Sequence, residues 1–158
     1  MTSIAPLTWE RAPYSISTDP NRLDLDRLHG FIAGTYWATG IPRATFEKSV
    51  ANSLPFGVYR EDAAAAGDSR QIGFARVVSD YATFAYLGDV FIEESERRRG
   101  LSKWLMECVM AHPELQGLRR FCLGTRDAHG LYRKFGFKVI PTPENWMEIR
   151  VMNPYGNG

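Results

Sequence analysis

The sequence contains few of the residues that build metal centres or disulfide frameworks. Its two cysteines, Cys108 and Cys122, stand apart in apolar stretches, and its three histidines are scattered without the spacing of metal ligands. We therefore predict no metal ion and no disulfide. The cysteines are interpreted as two buried, reduced thiols.

Long apolar runs and an excess of either charge are also absent. No stretch approaches the roughly 18 apolar residues that span a bilayer, and the first residues lack the basic and apolar pattern of a signal peptide. The formal net charge is +1, so there is no broad basic surface to neutralise phosphates. These absences predict a cytoplasmic protein that binds neither a membrane nor nucleic acid.

The composition is otherwise that of an ordinary folded domain. Apolar residues make up 44% of the 158 positions and charged residues 23%, close to the averages of globular proteins. A chain of this length can bury well over half of the surface that its unfolded form exposes. We predict a single domain over residues 1–158.

The pattern of apolar residues predicts a mixed sheet flanked by helices, an α/β fold. Early strands are expected at 14–17, 54–59, 71–78 and 83–92, with helices at 23–33 and 42–52. A hairpin loop is expected at 63–67, and Pro42 is placed in the first turn of its helix. Later elements are expected to be a helix from Leu101 to His112, a strand at 121–124, a helix at 127–135, and strands at 137–140 and 146–151.

Residues 90–103, VFIEESERRRGLSK, are the most informative stretch. A strand ends, a polar turn follows, and a helix begins at or just after Gly100. A helix N-terminus offers unpaired N–H groups and a positive dipole end, and a glycine lets the backbone approach a phosphate. Arg97, Arg98 and Arg99 add positive charge. The stretch predicts a pyrophosphate site, although a lone glycine beside a solvated basic run would more often be structural.

Two motifs together resemble the GNAT acetyltransferases. The arrangement Arg97-x-x-Gly100-x-Ser102 is similar to their coenzyme A pyrophosphate loop, in which the last position is Gly or Ala rather than Ser. Residues 130–137, GLYRKFGF, are similar to the family's second segment, in which a helix carries a tyrosine and ends in Gly-Phe. The resemblance covers about the C-terminal half of the chain. It implies the family's fold, with a central, mixed and mostly antiparallel sheet, and acetyl-CoA as cosubstrate.

The resemblance also implies site residues. Backbone groups of Val90, Phe91 and Ile92 would meet the pantetheine arm, and the pyrophosphate would lie against Arg97, Arg98, Arg99, Gly100, Leu101, Ser102 and Lys103. Thr125 stands where many members have an asparagine, and His129 follows as a second candidate for the coenzyme channel. Tyr132 would protonate the departing thiolate, which suits a phenol with a reference pKa of about 10. A half-buried core tyrosine is the competing interpretation.

The acceptor site is less well defined by the sequence. Asp89 is a carboxylate within an apolar strand, which is costly unless it is paired or solvated, so it is expected either to contact the acceptor amine or to be bound to an arginine for structural reasons. Tyr36, Trp37 and Tyr86 are candidates for the acceptor wall. Trp146 and Arg150 belong to the same group of candidates.

These residues lead to the hypothesis of acetyl transfer to a primary amine, on a small-molecule acceptor, by direct attack on the thioester. Two alternatives stay open at this point: an inactive acyl-CoA-binding sensor, and a protein or peptide N-acetyltransferase. The identity of the acceptor and the oligomeric state also stay open, with a homodimer as one option.

Overall fold

A computed structural model describes residues 3–62 and 69–156. The strands are β1 Thr8–Arg11, β2 Tyr14–Ser17, β3 Leu54–Glu61, β4 Ser69–Ser79, β5 Phe84–Ile92 and β6 Arg120–Leu123. The α-helices are α1 Leu25–Ile32, α2 Arg43–Ala51, α3 Leu101–Ala111 and α4 His129–Arg133. Short 3-10 helices lie at Pro20–Arg22, Glu94–Glu96, Pro113–Leu115 and Pro143–Asn145. The predicted hairpin loop at 63–67 lies outside the described residues.

The six strands form one sheet in sequence order, β1-β2-β3-β4-β5-β6. The first five pair antiparallel, and β6 pairs parallel with β5. A parallel neighbour needs a crossover connection, which helix α3 supplies. The sheet is therefore mixed and mostly antiparallel, as predicted.

The turn between β4 and β5 is held by a single side chain. The Asp80 carboxylate accepts hydrogen bonds from the Thr83 hydroxyl and from the amides of Ala82, Thr83 and Phe84, at 2.6–3.1 Å. These bonds, the Thr83 hydroxyl first, hold the pKa of Asp80 well below its ordinary range. The turn sets the register of β5, the strand that carries the candidate site.

Two clusters of buried side chains hold helices against the sheet. The first joins α3, through Leu105, Met106 and Val109, to the apolar residues of β2 to β5. The second joins α1 and α2 to Phe74 and Phe91, with Phe31 stacked on Phe91 at 3.7 Å between ring centroids. Asp24 caps the N-terminus of α1, and its carboxylate accepts from the Arg27 amide. Flanking helices on the sheet are what the sequence predicts.

Several predicted boundaries are wrong. Strand β1 was not predicted, α2 begins after Pro42 rather than including it, and the helix expected at 127–135 spans only His129–Arg133. Cys108 is buried as expected, and burial raises its pKa to about 12, but Cys122 is only half-buried. After Arg133 the backbone amides bond to carbonyls three residues earlier, so the α-helical pattern of bonds stops there although the apolar spacing continues.

The two strands predicted at 137–140 and 146–151 are the larger error. Both segments lie outside the sheet, and residues 141–150 are exposed throughout. Alternating apolar residues predict extended backbone, but a strand also requires a neighbour that accepts and donates its backbone hydrogen bonds. Within residues 3–62 and 69–156 these segments have no such neighbour.

Candidate active site

The candidate site opens where two parallel strands part. Strand β6 pairs with β5 from Phe84↔Arg120 to Leu87↔Leu123 and then ends, whereas β5 continues to Ile92. Within the described residues, the edge of β5 beyond Leu87 therefore lacks a strand on this side. Its backbone N–H and C=O groups can pair with an extended ligand instead.

A β-bulge shapes the part of β5 that faces this opening. Arg76 of β4 pairs with Gly88 and Phe74 pairs with Phe91, so β5 has one more residue than β4 across this interval. Asp89 takes the left-handed backbone conformation with φ of 53°. Such bulges bend a strand and change where its side chains point. Here the bulge places Asp89 and Val90 on the wall of the cleft.

Asp89 is already paired within the protein. Its Oδ2 accepts from Arg76 Nε at 2.6 Å, and its Oδ1 accepts from Trp37 Nε1 at 2.9 Å. The side chains of Asp89 and Arg76 are only 8% and 19% exposed. Each carboxylate oxygen keeps a lone pair for a further donor. Asp89 therefore has both the structural bond to arginine and the position on the cleft that the sequence left as alternatives.

Tyr132 reaches the same cleft from helix α4. It is 8% exposed, and burial is the largest cause that raises its pKa above the ordinary phenol value, with Tyr36 and Asp127 adding to the shift. A raised pKa keeps the phenol protonated at neutral pH. Tyr132 thus presents a protonated phenol on the wall of the cleft.

Aromatic side chains form the rim of the cleft. Tyr36 and Trp37 follow helix α1 and meet edge to face, with ring centroids 5.0 Å apart. The Arg126 guanidinium lies over the Tyr36 ring at 3.9 Å, which fixes the ring by a cation–π contact. Tyr86 on β5 is 42% exposed. Exposed aromatics of this kind can pack against an acceptor without moving.

The cleft encloses a cavity of about 380 Å³. Its lining includes the predicted residues Tyr36, Trp37, Tyr86, Asp89, Val90, Thr125 and Tyr132, from four separate parts of the chain. The Thr125 hydroxyl accepts from the Ala128 amide at 3.0 Å and so orders the turn before α4. The tertiary structure thus brings together candidates that the sequence keeps far apart.

The predicted phosphate turn lies between β5 and α3. Arg98 and Gly100 have positive φ, at 66° and 74°, and Gly100 is the N-cap of α3, with no side-chain cap among the described residues. A side chain at Gly100 would meet nothing within 4 Å, so it is the backbone conformation that favours glycine. The amides of the first turn of α3 therefore remain accessible to an anion.

The buried carboxylate of Glu96 fixes the turn to the sheet. Glu96, with a side chain 3% exposed, accepts from the Tyr14 hydroxyl at 2.6 Å and from Arg60 at 2.8 Å, with Arg70 and Arg99 nearby. Burial alone would raise the pKa of Glu96, but the bonds from Tyr14 and Arg60 hold it below the ordinary value. Glu96 ties the turn to strands β2, β3 and β4.

The predicted cofactor residues fall into two groups. Arg98 and Lys103 are exposed, and no side-chain bond of theirs to another described residue occurs. Arg97 instead donates through Nε to the Ile92 carbonyl at 3.0 Å, and Arg99 donates to the Tyr14 hydroxyl. Arg97 and Arg99 therefore stabilise the conformation of the turn through these hydrogen bonds, in addition to their positive charge.

Other predicted cofactor residues have side chains that cannot reach a ligand. The side chains of Phe91, Ile92 and Leu101 are buried in the cores, so only their backbone can face a ligand. Ser102 is half-buried in the first turn of α3. His129 is exposed and lines a neighbouring cavity instead of the cleft. Trp146 and Arg150 are not among the residues that line the cleft, and Trp146 lines a separate cavity beside β6.

Arg76 and Tyr155 are among the residues of the cleft that the sequence did not predict. Arg76 is the one charged residue in the apolar stretch 71–78, and that isolation is a signal that could have found it. Tyr155 lines the cleft from the end of the chain and packs on the second cluster. No local pattern marks Tyr155, because its position depends on the path of the preceding residues.

Comparison with known proteins identifies the family. The model of the acetyltransferase (GNAT) domain matches residues 56–139. A 1.40 Å crystal structure from Xanthomonas campestris pv. campestris, provisionally assigned to the GNAT acetyltransferases, is 48% identical, covers 91% of this chain and 97% of its own, and has a TM-score of 0.83. A Gibberella zeae protein provisionally named an acetyltransferase is 29% identical over 145 residues, 82% of this chain and 81% of its own.

A more distant likeness concerns the fold alone. A Clostridium acetobutylicum structure, described as a predicted acetyltransferase with acetyl-CoA, is 16% identical with a TM-score of 0.58, and the match covers 91% of this chain and 96% of its own. The fold is thus that of the acetyltransferases. With a family model matching more than half of its length, the chain belongs to the GNAT acetyltransferase family.

No helix in residues 3–62 and 69–156 is long and apolar enough to cross a membrane. The same residues contain no group of three or more His, Cys, Asp or Glu side chains arranged to hold a metal ion.

Proposed function

We propose that this protein transfers the acetyl group of acetyl-CoA to the primary amine of a small-molecule acceptor. The observation that carries the proposal is the cleft where β5 and β6 part. An open strand edge, a carboxylate and a protonated phenol meet there, and the uncapped start of α3 lies just past the end of β5.

The acyl donor would occupy the open edge of β5 and the phosphate turn. The backbone of Val90 and its neighbours would pair with the amide groups of the pantetheine arm. The amides that follow Gly100 would donate hydrogen bonds to the pyrophosphate oxygens, and the exposed side chains of Arg98 and Lys103 would add positive charge. The positive φ of Gly100 supports this assignment, since it lets the chain turn into α3 without a side chain over the amides.

The reaction would be a direct transfer. The amine nitrogen forms a bond to the thioester carbon, the carbon–sulfur bond breaks, and the amine loses a proton to water or to Asp89. Tyr132 then gives its proton to the thiolate. A backbone N–H near Val90 would polarise the carbonyl, and holding both reactants in one cleft would supply much of the acceleration.

The acceptor would lie between Asp89 and the aromatic rim. The cavity of about 380 Å³ is within the range of small-molecule sites. Asp89 offers a negative charge to an ammonium group, and Tyr36, Trp37 and Tyr86 offer flat apolar surfaces. This combination favours a compact amine with an apolar or cyclic portion.

The test is an acceptor screen that reads thiol release from acetyl-CoA. Amines, amino acids, aminoglycosides and peptides are each incubated with the wild-type protein and with Tyr132→Phe, and products are identified by mass spectrometry. We expect acetylation of a small amine that the variant catalyses much more slowly. Acetyl-CoA binding without transfer to any acceptor would indicate the sensor, and transfer to peptides alone would indicate a protein acetyltransferase.

A further inference from the structure

The guanidinium group of Arg76 is only partly used within the protein. Its Nε donates to Asp89 Oδ2 at 2.6 Å, and its Nη1 donates to Ser53 Oγ at 3.2 Å. Its Nη2 makes no hydrogen bond to another residue in the described part of the chain. A guanidinium has five N–H donors and stays charged at neutral pH, so Arg76 keeps charged donors for a ligand.

The two hydrogen bonds also fix the direction of Nη2. Ser53 Oγ accepts from Arg76 and donates to the carbonyl of Ser49 in α2 at 2.6 Å, so the guanidinium is held by a helix as well as by β5. A guanidinium is planar, and fixing Nε and Nη1 therefore fixes Nη2. The Arg76 side chain is thus ordered before any ligand binds, which lowers the entropic cost of binding.

The Nη2 atom lies beside Gly88 on the wall of the cleft. A Cβ placed on Gly88 would lie 3.9 Å from Arg76 Nη2 and 3.3 Å from Tyr86 Cε1. Gly88 does not have the positive φ that favours glycine. The missing side chain at this position therefore leaves space next to the guanidinium, and a ligand atom can occupy that space.

The charges that line the cavity suit a ligand that carries both signs. Among the described residues of the lining, Arg76 is the one cation, and Asp89 and Asp127 are anions. Because Asp89 is bonded to Arg76, a carboxylate and a guanidinium stand side by side. The ammonium and carboxylate groups of an α-amino acid also stand side by side, on a single carbon. The two pairs can align with opposite charges facing each other.

We propose that the acceptor is an α-amino acid whose carboxylate binds Arg76 Nη2 beside Gly88 while its amino group lies at Asp89. This inference rests on the proposed function, because it names the substrate class of the same site. The side chain of the amino acid would pack against the aromatic rim. A carboxylate suits the site better than a phosphate, because the charge of Asp89 would repel a doubly charged group.

The first experiment measures binding by calorimetry with coenzyme A present, so its result does not depend on turnover. The common amino acids, β-alanine, γ-aminobutyrate and phosphoethanolamine are titrated into the protein. The α-amino acid that binds most tightly is then compared with its carboxamide and with its decarboxylated amine. We expect both analogues to bind about 10–100-fold more weakly, because each loses a charge-assisted hydrogen bond.

Three results of this experiment would overturn the inference. The first is that no α-amino acid binds, and the second is that the carboxamide binds as tightly as the amino acid. The third is that γ-aminobutyrate or phosphoethanolamine binds more tightly than any α-amino acid.

The second experiment tests the position of the carboxylate. Gly88→Ala places a methyl group beside Arg76 Nη2 and keeps the bond between Arg76 and Asp89. It should weaken binding of the amino acid about 10-fold and change binding of the carboxamide much less. Gly124→Ala is the matched control, because its Cβ would lie 3.9 Å from the Tyr86 hydroxyl and near no atom of Arg76. The control should change both affinities equally, and an equal change in Gly88→Ala as well would overturn the inference.

Thiol release from acetyl-CoA separates this inference from the proposed function. Acetylation of simple amines with the same kcat/KM as the amino acid would refute the inference and leave the function standing. Carboxylate-dependent binding without transfer to any amine would refute the function and support the α-amino acid as the ligand of this site.

Discussion

Substitutions in the Asp89–Arg76 ion pair can separate a structural role of Asp89 from a catalytic one. Asp89→Asn keeps the size of the side chain, and its Oδ1 can still accept from Trp37. Its amide group would replace Oδ2 and face Arg76 Nε, which is a donor facing a donor. Arg76 would keep only its bond to Ser53 Oγ at 3.2 Å.

The expected loss of stability follows from burial. Removing one partner of a fully buried ion pair costs about 3–5 kcal/mol. Arg76 is 19% exposed and retains one acceptor, so we expect about 2–3 kcal/mol for Asp89→Asn. For a chain of 158 residues this lowers Tm by roughly 5–10 °C. Trp37→Phe is the control, since it removes only a bond at the partly exposed rim and should cost about 1 kcal/mol.

A double-mutant cycle completes the design. Arg76→Met removes the charge that Asp89→Asn leaves unpaired, so the double variant should be more stable than the two single losses predict, by about 2 kcal/mol. Stability is measured by urea unfolding and activity by thiol release with the acceptor found in the screen. If Asp89 acts on the acceptor amine, kcat/KM should fall about 10²-fold in Asp89→Asn and should stay low in the stable double variant.

Two results would contradict this reasoning. A coupling energy below about 0.5 kcal/mol would show that the Arg76–Asp89 contact has no energetic weight. Wild-type activity in folded Asp89→Asn across the pH range would make Asp89 a structural residue that only positions β5.

Three further predictions concern the turn, the phenol and the buried carboxylate. Gly100→Asp should weaken acetyl-CoA binding in calorimetry by at least about 10-fold, because an anion would face the pyrophosphate. Gly117→Asp is the control, because Gly117 has a φ of 69° and equally open space, so the strain is similar. This control variant should bind acetyl-CoA as tightly as wild type. Tyr132→Phe should lower kcat about 10²-fold with coenzyme affinity within a few fold, whereas Tyr86→Phe should not; full kcat in Tyr132→Phe would assign the proton to water. Glu96→Gln should be less stable than wild type at pH 7, and the difference in stability should shrink as pH falls below about 4.3. The reason is that a carboxyl with a lowered pKa stabilises the fold only while it is ionised. A difference in stability that does not change with pH would refute the ion pairing of Glu96.

Local patterns in the sequence were enough to predict most elements of the sheet. Strands β3, β4 and β5 follow from apolar stretches bounded by turn residues, and α3 follows from its helical spacing after Gly100. The turn between β5 and α3 was also predictable, because a strand end, a glycine and a helix start are all local features. Tyr132 was predicted as a site residue from the motif at residues 130–137, and not from the residues that it contacts in the fold.

The same local patterns failed wherever a partner decides the outcome. Residues 137–140 and 146–151 alternate as strands do, yet the sequence says nothing of which edge they would join. Strand β1 went unpredicted because half of its residues are charged, and only its pairing with β2 holds it extended.

By itself, the sequence determined strands β3, β4 and β5, the turn before α3 and the family motifs, since each depends on residues close together in the chain. Only the tertiary structure decided that Arg76 and Trp37 hold Asp89, and that Tyr36, Tyr86 and Tyr132 share one cavity. The residues that meet in these contacts are separated by between 13 and 96 positions in the sequence. The bulge at Asp89 that permits the contacts arises from the register of β5 against β4. Strand register depends on the whole sheet, so no local pattern could specify it.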